Sequence, residues 1–257
     1  MIDIMTLANR TALVTGGGKG LGAAIARRLV AEGARVAVLG RDADAIARIA
    51  TEIGALGLVA DITDMRAVDA ALVRLREEMG PIAIVVQNAG IATSAPLAAT
   101  DDATWERTMA VNVTAPFRIA RAVVPEMVAA GWGRIVHVAS TAALTGYSYT
   151  SAYCASKHAV VGLTRALAIE LARTGVTVNA VCPGFCDTEM STRAAEVIAA
   201  KTGKTVEGAT KILGDLSPQR RLISPDEVAH VVAMLCGDGA RGVNGQAIPI
   251  DGGQVTK

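Results

Sequence analysis

Seven short apolar runs, recurring along the chain with helical stretches between them, constrain this sequence more than any other feature. They occupy residues 11–15, 35–39, 57–61, 82–87, 134–140, 176–182 and 246–250. Most show no polar alternation, which is how strands buried on both faces of a parallel sheet read. Stretches of helical period lie between them, as at 22–33, 65–79 and 159–174. Strand and helix in turn, joined by right-handed crossovers, predict an α/β fold with one doubly wound, parallel seven-stranded sheet and helices on both faces. No linker or composition break divides the 257 residues, so residues 1–257 are expected to form a single domain. One connection, 183–217, is too long for a simple turn and predicts a substrate lid at about 184–217. Within it, Met190, Ile198, Ile212 and Leu213 either line an apolar pocket or pack the lid itself.

Apolar residues make up 51% of the chain but aromatics only 3%, so the core must come from Ala, Val, Leu and Ile. A formal net charge of +1 gives no electrostatic footprint for nucleic acid and no basic face for a membrane. No apolar run approaches the ~20 residues that span a bilayer. Residues 1–10 lack the basic run and apolar stretch of a signal peptide, so a cytoplasmic protein is expected. Cys154, Cys182, Cys186 and Cys236 form no C-x-x-C pair beside histidines, so no metal site is expected.

"TGGGKGLG", residues 15–22, follows the first apolar run and opens a helix. Glycines there let backbone approach a pyrophosphate, and the helix N-terminus favours an anion. The second run ends in Gly40 and Arg41, with no acid to hold a ribose 2′-hydroxyl; Asp42 suits a helix N-cap instead. Arg41 and Lys19 together favour NADP(H) as cofactor, with NAD(H) the alternative. Further on, Tyr153 and Lys157 stand four residues apart at a helix start, on one face, and Ser140 ends the fifth run. A phenol with a pKa near 10 costs ~4 kcal/mol to use as phenolate at pH 7. An ammonium ~4 Å away offsets ~4 kcal/mol at an effective dielectric of 20. The three residues therefore suit proton transfer to and from a carbonyl oxygen.

TGxxxGxG, N-A-G, S, Y-x-x-x-K and P-G together resemble the short-chain dehydrogenase/reductase family over nearly the whole chain. The resemblance implies a Rossmann fold and a catalytic tetrad of Asn112, Ser140, Tyr153 and Lys157. It implies cofactor contacts from Gly16, Gly20, Leu21 and Gly22, from Asp61 and Ile62, and from Asn88, Ala89 and Gly90. Gln87 stands where the family usually has a first Asn. Pro183, Gly184 and Thr188 match the segment that grips the nicotinamide. Residues 156–185 and the terminal "DGGQ" are similar to 3-oxoacyl-thioester reductases and polyketide ketoreductases, commonly homotetramers. Nothing basic stands between Met127 and Arg134, where reductases that dock acyl carrier protein usually have basic residues. That departure favours a CoA thioester or a free small carbonyl. The expected activity is reduction of a 3-oxoacyl thioester. The alternatives are a dehydrogenase of a secondary or cyclic alcohol or hydroxyacyl-CoA, and a non-catalytic dinucleotide-binding regulator.

Overall fold

In the computed structural model, which describes residues 7–256, each apolar run pairs with its neighbours in parallel. In chain order the elements are β1 (Thr11–Thr15), α1 (Gly20–Ala31), β2 (Arg35–Gly40), α2 (Ala43–Ile53), β3 (Leu56–Val59), α3 (Met65–Met79), β4 (Ile82–Gln87) and α4 (Asp102–Met109). There follow α5 (Ala115–Ala129), β5 (Gly133–Val138), α6 (Ser151–Glu170), β6 (Val176–Pro183), α7 (Glu189–Thr202), α8 (Val206–Asp215), α9 (Pro225–Cys236) and β7 (Ala247–Ile250). The sheet runs β3-β2-β1-β4-β5-β6-β7. Its order reverses between β1 and β4, and at such a switch point the carboxyl ends of the strands open a crevice where ligands bind.

Successive side chains of a strand go to opposite faces, and here both faces are covered. Val14, Val86 and Val136 pack against α1 and α9, whereas Leu13, Val85 and Ile135 pack against α3, α5 and α6. Strands β1, β5 and β6 are buried along their whole length, which explains why they carry no polar alternation. Side chains of Asp42, Asp64, Asp101 and Ser224 cap α2, α3, α4 and α9, Asp42 in the role its position predicted. Helix α1 has no side-chain cap and no acid in its first turn.

Several boundaries differ from the sequence pattern. The fifth strand stops at Val138, not at residue 140, because Ser140 turns to cap the short 3₁₀ turn Thr141–Ala143. Helix α6 begins at Ser151, so Tyr153 lies in its first turn, at the helix start its spacing to Lys157 predicts. The connection at 183–217 folds into α7 and α8 around their own small apolar cluster of Ala195, Ala209 and Leu213. Ile198 also packs there, so it and Leu213 pack the lid itself, while Met190 and Ile212 are exposed. No helix of the described residues is long and apolar enough to cross a membrane.

Candidate active site

The glycine turn is held open from behind. Asn88, just past β4, donates its side-chain amide to the carbonyls of Thr15 and Gly16, at 3.0 and 3.2 Å. The Thr15 hydroxyl in return accepts from the backbone N–H groups of Asn88 and Ala89. Gly16 sits at φ +66°, in the left-handed region that side chains disfavour. Gly22 faces the turn so closely that a Cβ there would overlap the Gly16 carbonyl and come within 2.6 Å of the Asn88 amide. Beyond this turn α1 presents its uncapped N-terminus, whose donors and dipole suit a phosphate. Thr15 opens the TGxxxGxG motif, but its hydroxyl's role in holding the turn follows from contacts with residues 73 and 74 positions away.

Around the turn stand the other predicted contacts. Leu21 is half-buried against the core, and Ile62 is buried just past β3. Thr188 opens α7 with its side chain facing Gly20, where a Cβ would lie 3.6 Å from the threonine methyl. Pro183 closes β6, and the Gly184 N–H donates to the Ile250 carbonyl. Arg41 reaches the Asp61 carboxylate at 3.5 Å, both side chains being well exposed. Burial works against the Asp61 charge, but donors from Thr63 and the Arg41 guanidinium outweigh it and hold this carboxyl below its ordinary range. Lys19, expected with Arg41 to favour NADP(H), pairs its ammonium with Glu189 in the first turn of α7 at 3.0 Å, both side chains being well exposed.

Across the crevice, Gly90 brings the two halves of the site together. A Cβ on it would lie 3.2 Å from Asn112 Oδ1 and 3.6 Å from Lys157 Nζ. Asn112 is buried in the wide π-turn Ala110–Thr114 between α4 and α5. It bonds both backbone groups of Ile91 and donates to Ser156 Oγ, tying the loop after β4 to α6. Lys157 donates to the Val138 carbonyl at 2.8 Å, and its ammonium lies 5.7 Å from the Tyr153 ring centre. Ser140 Oγ accepts from the Ala142 N–H at 3.1 Å, and its hydroxyl also bears on the Tyr153 phenol.

The charge matching expected between Lys157 and Tyr153 is not what this site shows. Burial pushes the Tyr153 phenol up to about 12, with the Ser140 hydroxyl acting in the opposite sense. The same cause brings the Lys157 ammonium down to about 8. Desolvation disfavours the charged form of each. At neutral pH the phenol keeps its proton and the lysine its charge.

A profile of the short chain dehydrogenase family matches residues 10–198. A protein named putative ketoacyl reductase from Streptomyces coelicolor is 39% identical over 252 residues, covering 95% of this chain and 97% of its own. The 3-oxoacyl-(acyl-carrier-protein) reductase MabA of Mycobacterium tuberculosis is 36% identical over 245 residues, with 95% and 92% covered. Among solved structures, an actinorhodin polyketide ketoreductase with NADPH superposes with a TM-score of 0.93 at 38% identity, covering 95% of this chain and 97% of its own.

Proposed function

The chain belongs to the short-chain dehydrogenase family, and from that premise we propose that it is an NADP(H)-dependent oxidoreductase reducing a 3-oxoacyl thioester to the 3-hydroxyacyl form. The observation that carries this reading is the meeting of Gly90, Asn112 and Lys157 at the same strand edge as the uncapped glycine turn. A regulator that only bound a dinucleotide would have no use for the serine, tyrosine and lysine beside it. The residues fit the cofactor. The α1 N-terminus and the glycine turn from Gly16 to Gly22 take its pyrophosphate, Asp61 and Ile62 flank its adenine, and Arg41 meets a 2′-phosphate. Asn88, Ala89 and Gly90 line the middle of the groove, and Pro183, Gly184 and Thr188 its nicotinamide end. When bound, the cofactor supplies the hydride.

Ser140 donates to the substrate oxygen and Tyr153 gives it the proton, so hydride and proton together convert ketone to alcohol. A phenol held protonated at neutral pH is already in the form this direction needs. Lys157, charged below about pH 8, stabilises the phenolate as the proton leaves. Asn112 acts by positioning, through the bonds that fix Ile91 and Ser156.

Of the two thioester carriers, CoA has the better support, because Arg134 is buried by Gly175 and Asp238 and adds nothing to a basic docking patch. Membership of a family whose ketoreductases are commonly homotetramers supports a homotetramer. A cytoplasmic setting suits four unbridged cysteines.

Tyr153→Phe tests the chemistry, with acetoacetyl-CoA as substrate and nicotinamide absorbance as readout. Loss of the proton donor is expected to lower kcat by about 10²–10⁴-fold, with NADPH binding by fluorescence retained. Turnover within a few-fold of the parent would overturn the mechanism.

A further inference from the structure

Only seven aromatic side chains occur in the whole chain. Four of them, Tyr147, Tyr149, Tyr153 and Phe185, stand on the two segments that follow β5 and β6 at the edge of the candidate site. Random placement of so scarce a residue type would not gather them there; of the four, Phe185 also packs against the small α7–α8 cluster. Tyr147 and Phe185 meet edge to face, with ring centres 6.4 Å apart and planes at 77°.

The Tyr147 ring is fixed from both sides. Its hydroxyl donates to Thr141 Oγ1, the residue after Ser140, at 2.8 Å, and accepts from Gln254 Nε2 at 2.8 Å. Gln254 belongs to the chain's last turn, which the buried Asp251 carboxylate holds by accepting from the N–H groups of Gly253 and Val255. A contact between residues 107 apart in sequence thus fixes the Tyr147 hydroxyl against the short turn that Ser140 caps. Tyr149 follows two residues on. It adopts φ +66°, a conformation tyrosine takes only under constraint, while its carbonyl accepts from Ala95 N–H at 2.8 Å. That bond joins the segment after β4 to the segment after β5 and leaves the ring 65% exposed.

Resting on the reductase reading above, we propose that the acyl group of the substrate ends in an aryl or other flat cyclic unit, and that Tyr147, held by Gln254, and Tyr149 form the walls that select it. A planar group can present face or edge to these rings, as aromatic pairs prefer. A methyl-terminated acyl chain would leave both rings in water. Tyr147 and Tyr149 act as specificity residues, and Gln254 as a positioning residue.

The test uses the full-length protein with NADPH and two thioesters that differ only beyond the ketone, 3-oxo-3-phenylpropanoyl-CoA and acetoacetyl-CoA. The phenyl compound is expected to show kcat/KM higher by about tenfold or more. Tyr149→Ala, at an exposed position, is expected to lower that ratio through KM and not kcat. Gln254→Leu removes one of the two hydrogen bonds on the Tyr147 hydroxyl and Tyr147→Phe removes both, so the double variant should lower the ratio no further than Tyr147→Phe alone. Equal or better use of acetoacetyl-CoA would overturn the proposal and leave the reductase reading standing. A ratio unmoved by Tyr149→Ala and by Gln254→Leu would also overturn it. Failure of the parent protein to reduce either thioester would sink the reductase reading and this inference with it.

Discussion

The two sides of the crevice are built on opposite rules. On the β1–α1–β2 side, backbone meets backbone: Asn88 and Thr15 lock the turn, and Gly16 and Gly22 leave no room for a Cβ. On the β5–β6 side, side chains stand apart. Helices α7 and α8 bury a small cluster of their own, while Tyr149, Met190 and Ile212 remain open to solvent. The first side recognises a ligand common to many reactions and does so with main-chain groups, which tolerate no variation. The second recognises one substrate, with side chains that can change without disturbing the sheet. Substitutions should therefore be severe on one side and mild on the other.

The largest contrast lies in a matched pair of glycine substitutions. Gly22→Ala drives a methyl into the Gly16 carbonyl and the Asn88 amide. Relief requires moving main chain, at a cost of about 1–3 kcal/mol or more, and the turn that moves is the one offered to the pyrophosphate. Loss of measurable NADPH binding and a clear fall in Tm are expected. Gly146, in the substrate-side loop, has nothing within 4 Å of a built Cβ and no left-handed backbone. Gly146→Ala should stay within about 0.5 kcal/mol of the parent. Equal damage from both would break the comparison.

Arg41 sharpens it, because here the backbone-reading side uses a side chain to choose between two cofactors. Among the described residues its side chain pairs only with Asp61, at 3.5 Å and in solvent, a pair worth little. Charged hydrogen bonds to a 2′-phosphate are worth about 1.5–3 kcal/mol. Arg41→Ala is accordingly expected to raise KM for NADPH by about 10–100-fold and to leave KM for NADH nearly unchanged. Steady-state kinetics with both cofactors reads this directly, and an unchanged NADPH value would remove the basis for NADP(H) preference.

The same division explains what could be read from the chain alone. Buried strands announce themselves locally, as Leu13-Val14 or Val85-Val86 do, since burial on both faces forces apolar residues in succession. The glycine turn is equally local. Other features arise from contacts that no local window contains. Ser140 left the fifth strand because its hydroxyl caps a turn, and Asn112 sits in a π-turn stabilised by Ile91 and Ser156. Lys19 found its partner in α7, 170 positions away, and Tyr147 its anchor in the last turn of the chain. The Tyr153 and Lys157 shifts follow from burial, a property of the assembled layers and not of a four-residue spacing.

The seam between the two sides offers the smallest effect. His137 lies on β5, paired in register with Gln87 of β4 and buried against α6. The Thr164 hydroxyl spends its hydrogen on the Val160 carbonyl, so His137 must donate from Nδ1 to Thr164 Oγ1. Its Nε2 is then an acceptor, buried with no partner. Burial, with Lys157 adding to it, pushes this imidazole down to about 4. Below its ordinary pKa near 6.5 the unfolded chain takes up a proton that the folded one refuses. Stability is therefore full above that value and falls as pH drops, by about 1.4 kcal/mol per pH unit until the folded group titrates. Between pH 7 and 5 this amounts to about 2 kcal/mol, or roughly 4–8 °C in Tm for a chain of this size. His137→Asn should flatten the slope by that amount. Because β5 serves both sides, the acid transition should remain a single step; separate melting of the α7–α8 region ahead of the sheet would show that the two sides are less tightly joined at this strand.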